Sequence, residues 1–257
     1  MINNKKMIVT DLDGTLLKDD KTISQFTMNT IKSLRDSGHI FVVATARPFR
    51  AVKKFLADVK IDAGIYHNGA LLYIEDNKID SYQIDNPLNI IKSIIGINPN
   101  IAIAVESDDV LYSNFDAEQF WPGTDFIYSK NDFKEVENKK ADKIIVEITD
   151  KNEMDVYQNI LPDDLYIQIS ENKIGMIMKK SATKSNGIDF IAKKYGIKNE
   201  NIIAFGDDYN DIDMLTSVGI GICVENGLNI VKENADIICS SNEDDGVAKW
   251  LIENVIK

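Results

Sequence analysis

Histidine and cysteine are scarce in this chain: His39 and His67 are its only imidazoles, and Cys223 and Cys239 its only thiols, among 257 residues. The cysteines lie far apart, without a C-x-x-C spacing or a neighbouring histidine. That argues against zinc and leaves two buried free thiols as the expectation. Histidine-based catalysis is equally short of parts. No apolar run approaches the ~20 residues of a bilayer-spanning helix, and the opening Met1-Ile2-Asn3-Asn4-Lys5-Lys6 leads into a short strand, not a signal-peptide core. No membrane partner is expected, and a cytoplasmic location follows. Basic charge is in deficit too: 29 Lys and Arg against 41 Asp and Glu leave a net charge of −12. A nucleic-acid backbone is therefore not the expected ligand. Internal repeats, low-complexity tracts and long charge blocks are absent.

What is present is a set of apolar runs that end in polar turns. The hydrophobic content of 44% is enough for one large domain or two small ones. Met7-Ile8-Val9-Thr10, Ile40-Phe41-Val42-Val43-Ala44 and Ile202-Ile203-Ala204-Phe205 each read as a strand covered on both faces. Each is followed by a polar turn and a helical pattern, which is the grammar of a parallel sheet in an α/β domain. Helices are expected at about 24–37, 48–58, 185–195 and 209–217, with Ser24 as a start signal and Gly38, Gly196 and Gly219 as stops. Between about 84 and 182 the pattern changes to closely spaced strands (Ile101–Val105, Val110–Tyr112, Lys143–Ile148, Tyr166–Ile169, Ile174–Met178) with helix-like stretches near 87–95 and 152–160. The expected organisation is a Rossmann-like core over 1–83 and 183–257, carrying an inserted α+β module over 84–182.

Chemistry-bearing residues fall at the strand ends, where open parallel sheets form their sites. Asp11 and Asp13 stand two apart in an extended segment and so face one way, with Gly14 permitting a sharp bend after them. This is the geometry of an aspartate nucleophile beside an acid/base partner. Gly206-Asp207-Asp208-Tyr209-Asn210-Asp211 delivers a second acidic group, in which Asp207 is the candidate to share a hard cation with Asp11. Capping of the following helix is the plainer reading of that run. Thr45 offers a hydroxyl and an N–H at a strand end. Lys184 opens a helix, where its ammonium would offset both a nucleophile and a phosphate. An acidic chain that binds phosphate needs such local neutralisation, by a cation, a lysine and backbone amides. Trp121 with Phe120 reads as packing of the inserted module ahead of a substrate wall.

Taken in order, these motifs resemble the haloacid dehalogenase superfamily, and within it the Cof-type hydrolases. The match runs through Asp11-Leu12-Asp13-Gly14-Thr15-Leu16, Ala44-Thr45-Ala46-Arg47-Pro48, Asn68-Gly69-Ala70, Lys184-Ser185-Asn186-Gly187, Gly206-Asp207-Asp208-Tyr209-Asn210-Asp211-Ile212-Asp213-Met214-Leu215 and Asp245-Gly246-Val247-Ala248. Ala46 stands where such proteins usually have Gly, and Asn226-Gly227 where they usually have Asn-Ala. The resemblance implies a phosphatase acting on a small phosphorylated metabolite, with Asp11 as nucleophile and Asp13 as proton shuttle. It implies Mg²⁺ held by Asp11, the Asp13 main-chain carbonyl and Asp207. Thr45, Lys184 and Asn210, with amides near Leu12 and at Ala46, would hold the phosphoryl oxygens. Asp211 would orient Lys184 or a metal-bound water, and Asp208 either one. Arg47 and Asn68 are candidates for touching the leaving group. The insertion would be a cap that closes over the site and selects the substrate, in a monomer or a homodimer. A phosphotransferase or phosphomutase of the same superfamily is the alternative. Receiver domains, which also accept phosphate on Asp, are half as long and lack an acid at the position of Asp13.

Overall fold

The computed structural model describes residues 5–148, 152–170 and 174–256, so the first four residues of the N-terminal lead-in lie outside it. The chain divides into two compact units, Met1–Ser81 with Thr183–Lys257, and Tyr82–Ala182.

The first unit begins with β1 (Met7–Thr10), α1 (Gln25–Asp36), β2 (Ile40–Ala44) and α2 (Phe49–Phe55), and continues through β3 (Ala63–Tyr66), β4 (Leu71–Ile74) and β5 (Asn77–Ser81). Every residue of β1, β2 and β3 is buried, as continuous apolar runs in a covered parallel sheet require. α1 starts where Ser24 accepts a hydrogen bond from the Thr27 amide at 3.0 Å, a side-chain cap for an otherwise orphaned donor.

The second unit contains α3 (Pro87–Ile97), β6 (Ile103–Ser107), β7 (Val110–Ser113), β8 (Ile127–Tyr128), β9 (Lys143–Glu147), α4 (Asn152–Gln158), β10 (Leu165–Ser170) and β11 (Ile174–Lys179). Its described strands run in the order β10-β11-β9-β6-β7-β8, antiparallel except for β7 beside β8. Strand alternation divides its apolar residues between two faces. Ile103, Val105, Ile144 and Val146 pack with Ile91 and Ile94 of α3 and Tyr157 of α4. Ala104, Leu111 and Ile145 face the other way, where Phe115, Phe120 and Trp121 pack on them.

The chain then re-enters the first unit with α5 (Lys184–Tyr195), β12 (Ile202–Gly206), α6 (Ile212–Ser217), β13 (Ile220–Val224), α7 (Asn229–Asn234), β14 (Ile237–Cys239) and α8 (Gly246–Asn254). The strand order among described residues is β14-β13-β12-β1-β2-β3-β4-β5, parallel from β14 to β3 and antiparallel at β4 and β5. The chain winds outward from β1 through β2 to β3, and later from β12 through β13 to β14 on the opposite side. The sheet therefore reverses its winding between β1 and β12, and a crevice at their carboxyl ends is the natural ligand position.

Two expectations need correction. The helix expected at 48–58 is shorter, Phe49–Phe55, and the one expected at 209–217 begins as a 3₁₀ turn over Tyr209–Asp211 before α6. That tight turn arises because Asp208 accepts from the Tyr209 amide while Asp211 bonds back to the amides of Asp207 and Asp208. Cys223 and Cys239 are buried free thiols, whose burial pushes them up to about 11 and about 12. Among the described residues no helix is long and apolar enough to cross a membrane.

Candidate active site

β1 pairs with β12 so that Thr10 lies opposite Phe205, and the Asp11 amide donates to the Phe205 carbonyl at 2.9 Å. The two strands thus end together, bringing Asp11 and Asp207 to one crevice. Helix α5 supplies the cation. Thr183 caps it by accepting from the Asn186 amide at 3.1 Å, and Lys184, its first residue, is turned inward and buried. The Lys184 ammonium donates to Asp11 Oδ1 and to Asp211 Oδ1, each at 2.6 Å.

Carboxylate oxygens of Asp11, Asp207 and Asp211 all lie within 4.8 Å of one another. Among the described residues Lys184 is the cation bonded into this cluster, so negative charge there is in excess. Burial works to lower the Lys184 pKa, but Asp11 and Asp211 outweigh it and the ammonium keeps its proton. The excess is expressed on the acids. Burial, with Asp211 and Asp207 nearby, pushes Asp11 well above the ordinary carboxylate range in spite of Lys184. Burial likewise raises Asp207 to about 6, partly offset by its hydrogen bond from Thr15.

The acids are not equivalent. Asp211 is fully buried, and its Oδ2 also accepts from the amides of Asp207 at 2.9 Å and Asp208 at 3.1 Å, so it anchors Lys184 and the turn. The Asp208 carboxylate is exposed and caps that turn through the Tyr209 amide at 2.7 Å. Asp207 accepts from the buried Thr15 hydroxyl at 2.6 Å. Only glycine fits before Thr15: Gly14 has φ +78°, and a Cβ there would come 2.5 Å from Asp207 Oδ2.

Asp13 is half-buried and faces different partners. Arg47 grips it with Nε to Oδ2 at 2.5 Å and Nη2 to Oδ1 at 2.7 Å, and Lys21 adds a third donor at 2.9 Å. Burial pulls the Asp13 carboxyl up, but the hydrogen bonds from Arg47 and Lys21 prevail and hold it below its usual range. Two neighbouring aspartates therefore have opposed acidities. Arg47 leads on to the next group, because its amide donates to Thr45 Oγ1 at 3.2 Å.

Thr45 is buried at the end of β2, and its carbonyl accepts from the Asn68 amide at 2.9 Å. Asn68 in turn accepts from Asn210 Nδ2 at 3.0 Å. Hydrogen bonds thus connect Asp13, Arg47, Thr45, Asn68 and Asn210 in sequence. His67, Asn68 and Gly69 all have positive φ, at 49°, 53° and 111°. Such a run is costly and recurs where backbone must be held in an unusual place. Gly69 is obligatory here, since a Cβ would lie 2.2 Å from the Thr183 carbonyl at the cap of α5. Leu12 is buried and its carbonyl receives the amides of Leu16 and Leu17, while Ala46 is partly exposed beside Thr45.

The model for haloacid dehalogenase-like hydrolases matches residues 8–251, spanning both strand-end motifs and the whole second unit. The chain belongs to this family. Within the haloacid dehalogenase superfamily it is a Cof-type hydrolase and a phosphatase. It is 30% identical to the Bacillus subtilis 5-amino-6-(5-phospho-D-ribitylamino)uracil phosphatase YitU, over 96% of each chain. It is 26% identical to a second Bacillus subtilis phosphatase of that description, YcsE, covering 96% of this chain and 94% of the other. A solved Thermotoga maritima structure superimposes with a TM-score of 0.84 at 27% identity, over 98% of each chain. A haloacid dehalogenase phosphatase from Bacteroides thetaiotaomicron shares the fold at a TM-score of 0.83 and 24% identity, covering 97% and 94%.

Two contacts of this candidate site carried no signal in the sequence. Lys21 lies in a polar run where any lysine looks solvated, yet it bonds to Asp13. Thr15 belongs to a recognisable motif, but its bond to Asp207 spans 192 residues and no local pattern encodes it.

Proposed function

We propose that the chain is a Mg²⁺-dependent phosphatase that hydrolyses small phosphorylated metabolites through an aspartyl-phosphate on Asp11, with residues 84–182 selecting the substrate. The observation that carries this reading is Asp11 at the end of β1, buried, bonded by Lys184 at 2.6 Å and clustered with Asp207 and Asp211.

The donor set fits a hard cation. It is all oxygen and rich in carboxylate, and burial, with neighbouring carboxylates adding to it, pushes Asp11 and Asp207 up in pKa, a penalty that a bound cation would relieve. Asp11, Asp207 and the Asp13 main-chain carbonyl would hold Mg²⁺, which supplies neutralisation of the phosphoryl and carboxylate charge. Asp211, bonded by Lys184 and two amides, is a support for these groups.

Asp11 attacks phosphorus, forming its acyl–phosphate bond as the ester P–O bond breaks. Lys184, Thr45 and Asn210, with amides at Leu12 and Ala46, would hold the phosphoryl oxygens, and preorganised donors of this kind supply most of the catalysis in phosphoryl transfer. Asp13 delivers a proton to the leaving oxygen, then takes one from the water that hydrolyses the intermediate. Its contacts with Arg47 and Lys21 favour the ionised form, which suits the second step. The first step requires those contacts to loosen as substrate enters.

Asp13→Asn separates the steps. With p-nitrophenyl phosphate, whose leaving group needs no proton, the variant should release a burst of about one p-nitrophenol per site and then turn over on the order of 10² times more slowly than the parent. Loss of the burst and the steady rate in equal measure would count against Asp13 as the second-step base. Substrate identity is tested by a Mg²⁺-dependent screen of phosphorylated metabolites, including the ribitylaminouracil phosphate named for the Bacillus relatives. Rates should fall to the Asp11→Asn blank after EDTA treatment, and turnover undiminished by EDTA would remove the metal from the mechanism. Transfer of the phosphoryl group to a sugar hydroxyl in place of water would identify the phosphotransferase alternative.

A further inference from the structure

The resemblance assigns no role to the Asn226 side chain, yet both ends of its amide are engaged at the edge of the site. Its Nδ2 donates to the Gly14 carbonyl at 2.7 Å, and its Oδ1 accepts from the Asn242 amide at 3.0 Å. The partners fix which end is which, because a carbonyl only accepts and an amide only donates. Asn242 is itself buried, and its Nδ2 donates to the Leu17 carbonyl at 3.0 Å and to Asp19 Oδ1 at 3.1 Å. Two asparagines from the C-terminal third thus hold the backbone carbonyls of Gly14 and Leu17, and one of them also the Asp19 side chain.

What this bracing controls follows from Gly14. Its backbone lies so close to Asp207 that a Cβ would come 2.5 Å from Oδ2, and the next residue, Thr15, donates to Oδ1 at 2.6 Å. The segment after Asn226 also touches Asp207, since the Leu228 amide donates to the Asp207 main-chain carbonyl at 2.9 Å. We infer that Asn226 is a positioning residue: by fixing the Gly14–Thr15 peptide it sets the orientation of the Asp207 carboxylate for the cation. The inference rests on the reading of Asp207 as a cation ligand. Groups that orient ligands in this way typically change metal affinity or activity by about 10–100-fold when removed. Asn226 is exposed, so its removal opens no cavity in the core.

The test is calorimetric titration of Mg²⁺, without substrate, into the parent and into Asn226→Ala and Asn226→Leu, the latter matching the shape of asparagine without its polar ends. Both variants should bind Mg²⁺ about tenfold more weakly or worse. Their Tm in EDTA should stay within a few degrees of the parent, and the substrate KM at saturating Mg²⁺ should be unchanged. A residue that merely held the turn would lower Tm and leave the Mg²⁺ affinity alone. Affinities within twofold of the parent in either variant overturn the positioning role and leave the metal reading intact. A parent that hydrolyses phosphate esters but binds no Mg²⁺ overturns the metal reading, and the inference with it.

Discussion

Asp11→Asn should lower turnover on the order of 10⁴-fold or more and, in EDTA at pH 8, raise the melting temperature of the protein. The catalytic loss follows from replacing a carboxylate that attacks phosphorus with an amide that does not. The gain in stability follows from charge. Around Lys184 the native cluster gathers three carboxylates, and Asn can still offer an oxygen to the ammonium that bonds Asp11 at 2.6 Å. Burial raises the folded pKa of Asp11 above its unfolded value, so the folded state holds the proton more tightly and disfavours the charged form. The penalty is absent when both states are protonated, grows as pH rises above the ordinary carboxylate value of about 3.9, and is fully present above the folded pKa. The Tm advantage of Asp11→Asn should therefore be largest at pH 8 and shrink as pH falls. Relieving a buried charge is worth on the order of 1 kcal/mol or more, or about 2–4 °C per kcal/mol for a chain of this size. Mg²⁺ should narrow the gap by neutralising the parent. Turnover within tenfold of the parent would refute Asp11 as nucleophile, and a metal-free Tm at or below the parent's at pH 8 would refute the charge excess.

The same cluster explains what was legible in the sequence. Asp11 and Asp207 each follow an apolar run, and such runs become adjacent buried strands, so their meeting at one crevice is a consequence of parallel-sheet topology. Lys184 was visible as the opening of a helix, but its complete burial was not, because lysine at an exposed helix start has the same local pattern. Arg47 was marked for the leaving group, whereas its bidentate grip on Asp13 spans 34 residues and no local pattern encodes it. Four of the strands that escaped notice have ordinary reasons for doing so. β5 is polar and lies at the sheet edge, β3 and β13 contain glycine, and β14 has three residues. Their pairing is decided by neighbours distant in sequence, and strand propensity is weak beside that context. Asn226 and Asn242 belong to the same class, being turn residues whose partners lie more than 200 positions earlier.

Lys184→Met should produce the largest loss of stability of any single change in the site. Methionine fills the same buried channel, so the effect isolates the ammonium. Without it Asp11 and the fully buried Asp211 lose their 2.6 Å partner, and breaking a buried pair from one side costs about 3–5 kcal/mol. Asp211 still accepts two amides, which limits the damage on that side. The pH dependence follows from both signs. The ammonium, raised above its ordinary value, is protonated in the parent throughout the neutral range, so the parent keeps its contribution there. Asp11 and its neighbour Asp207, both raised by burial, take up protons as pH falls, so the Tm deficit of the variant should be greatest at pH 8 and smaller at pH 5. Adding Asp211→Asn to Lys184→Met should recover a large part of the lost stability, because it removes one of the two uncompensated charges, while activity stays low for want of the ammonium at the phosphoryl group. Chemical denaturation of the parent, both single variants and the double variant measures the coupling directly. A double variant no more stable than Lys184→Met would mean that the lysine acts through packing, and that the opposed charges of the cluster are not what holds α5 against the end of β1.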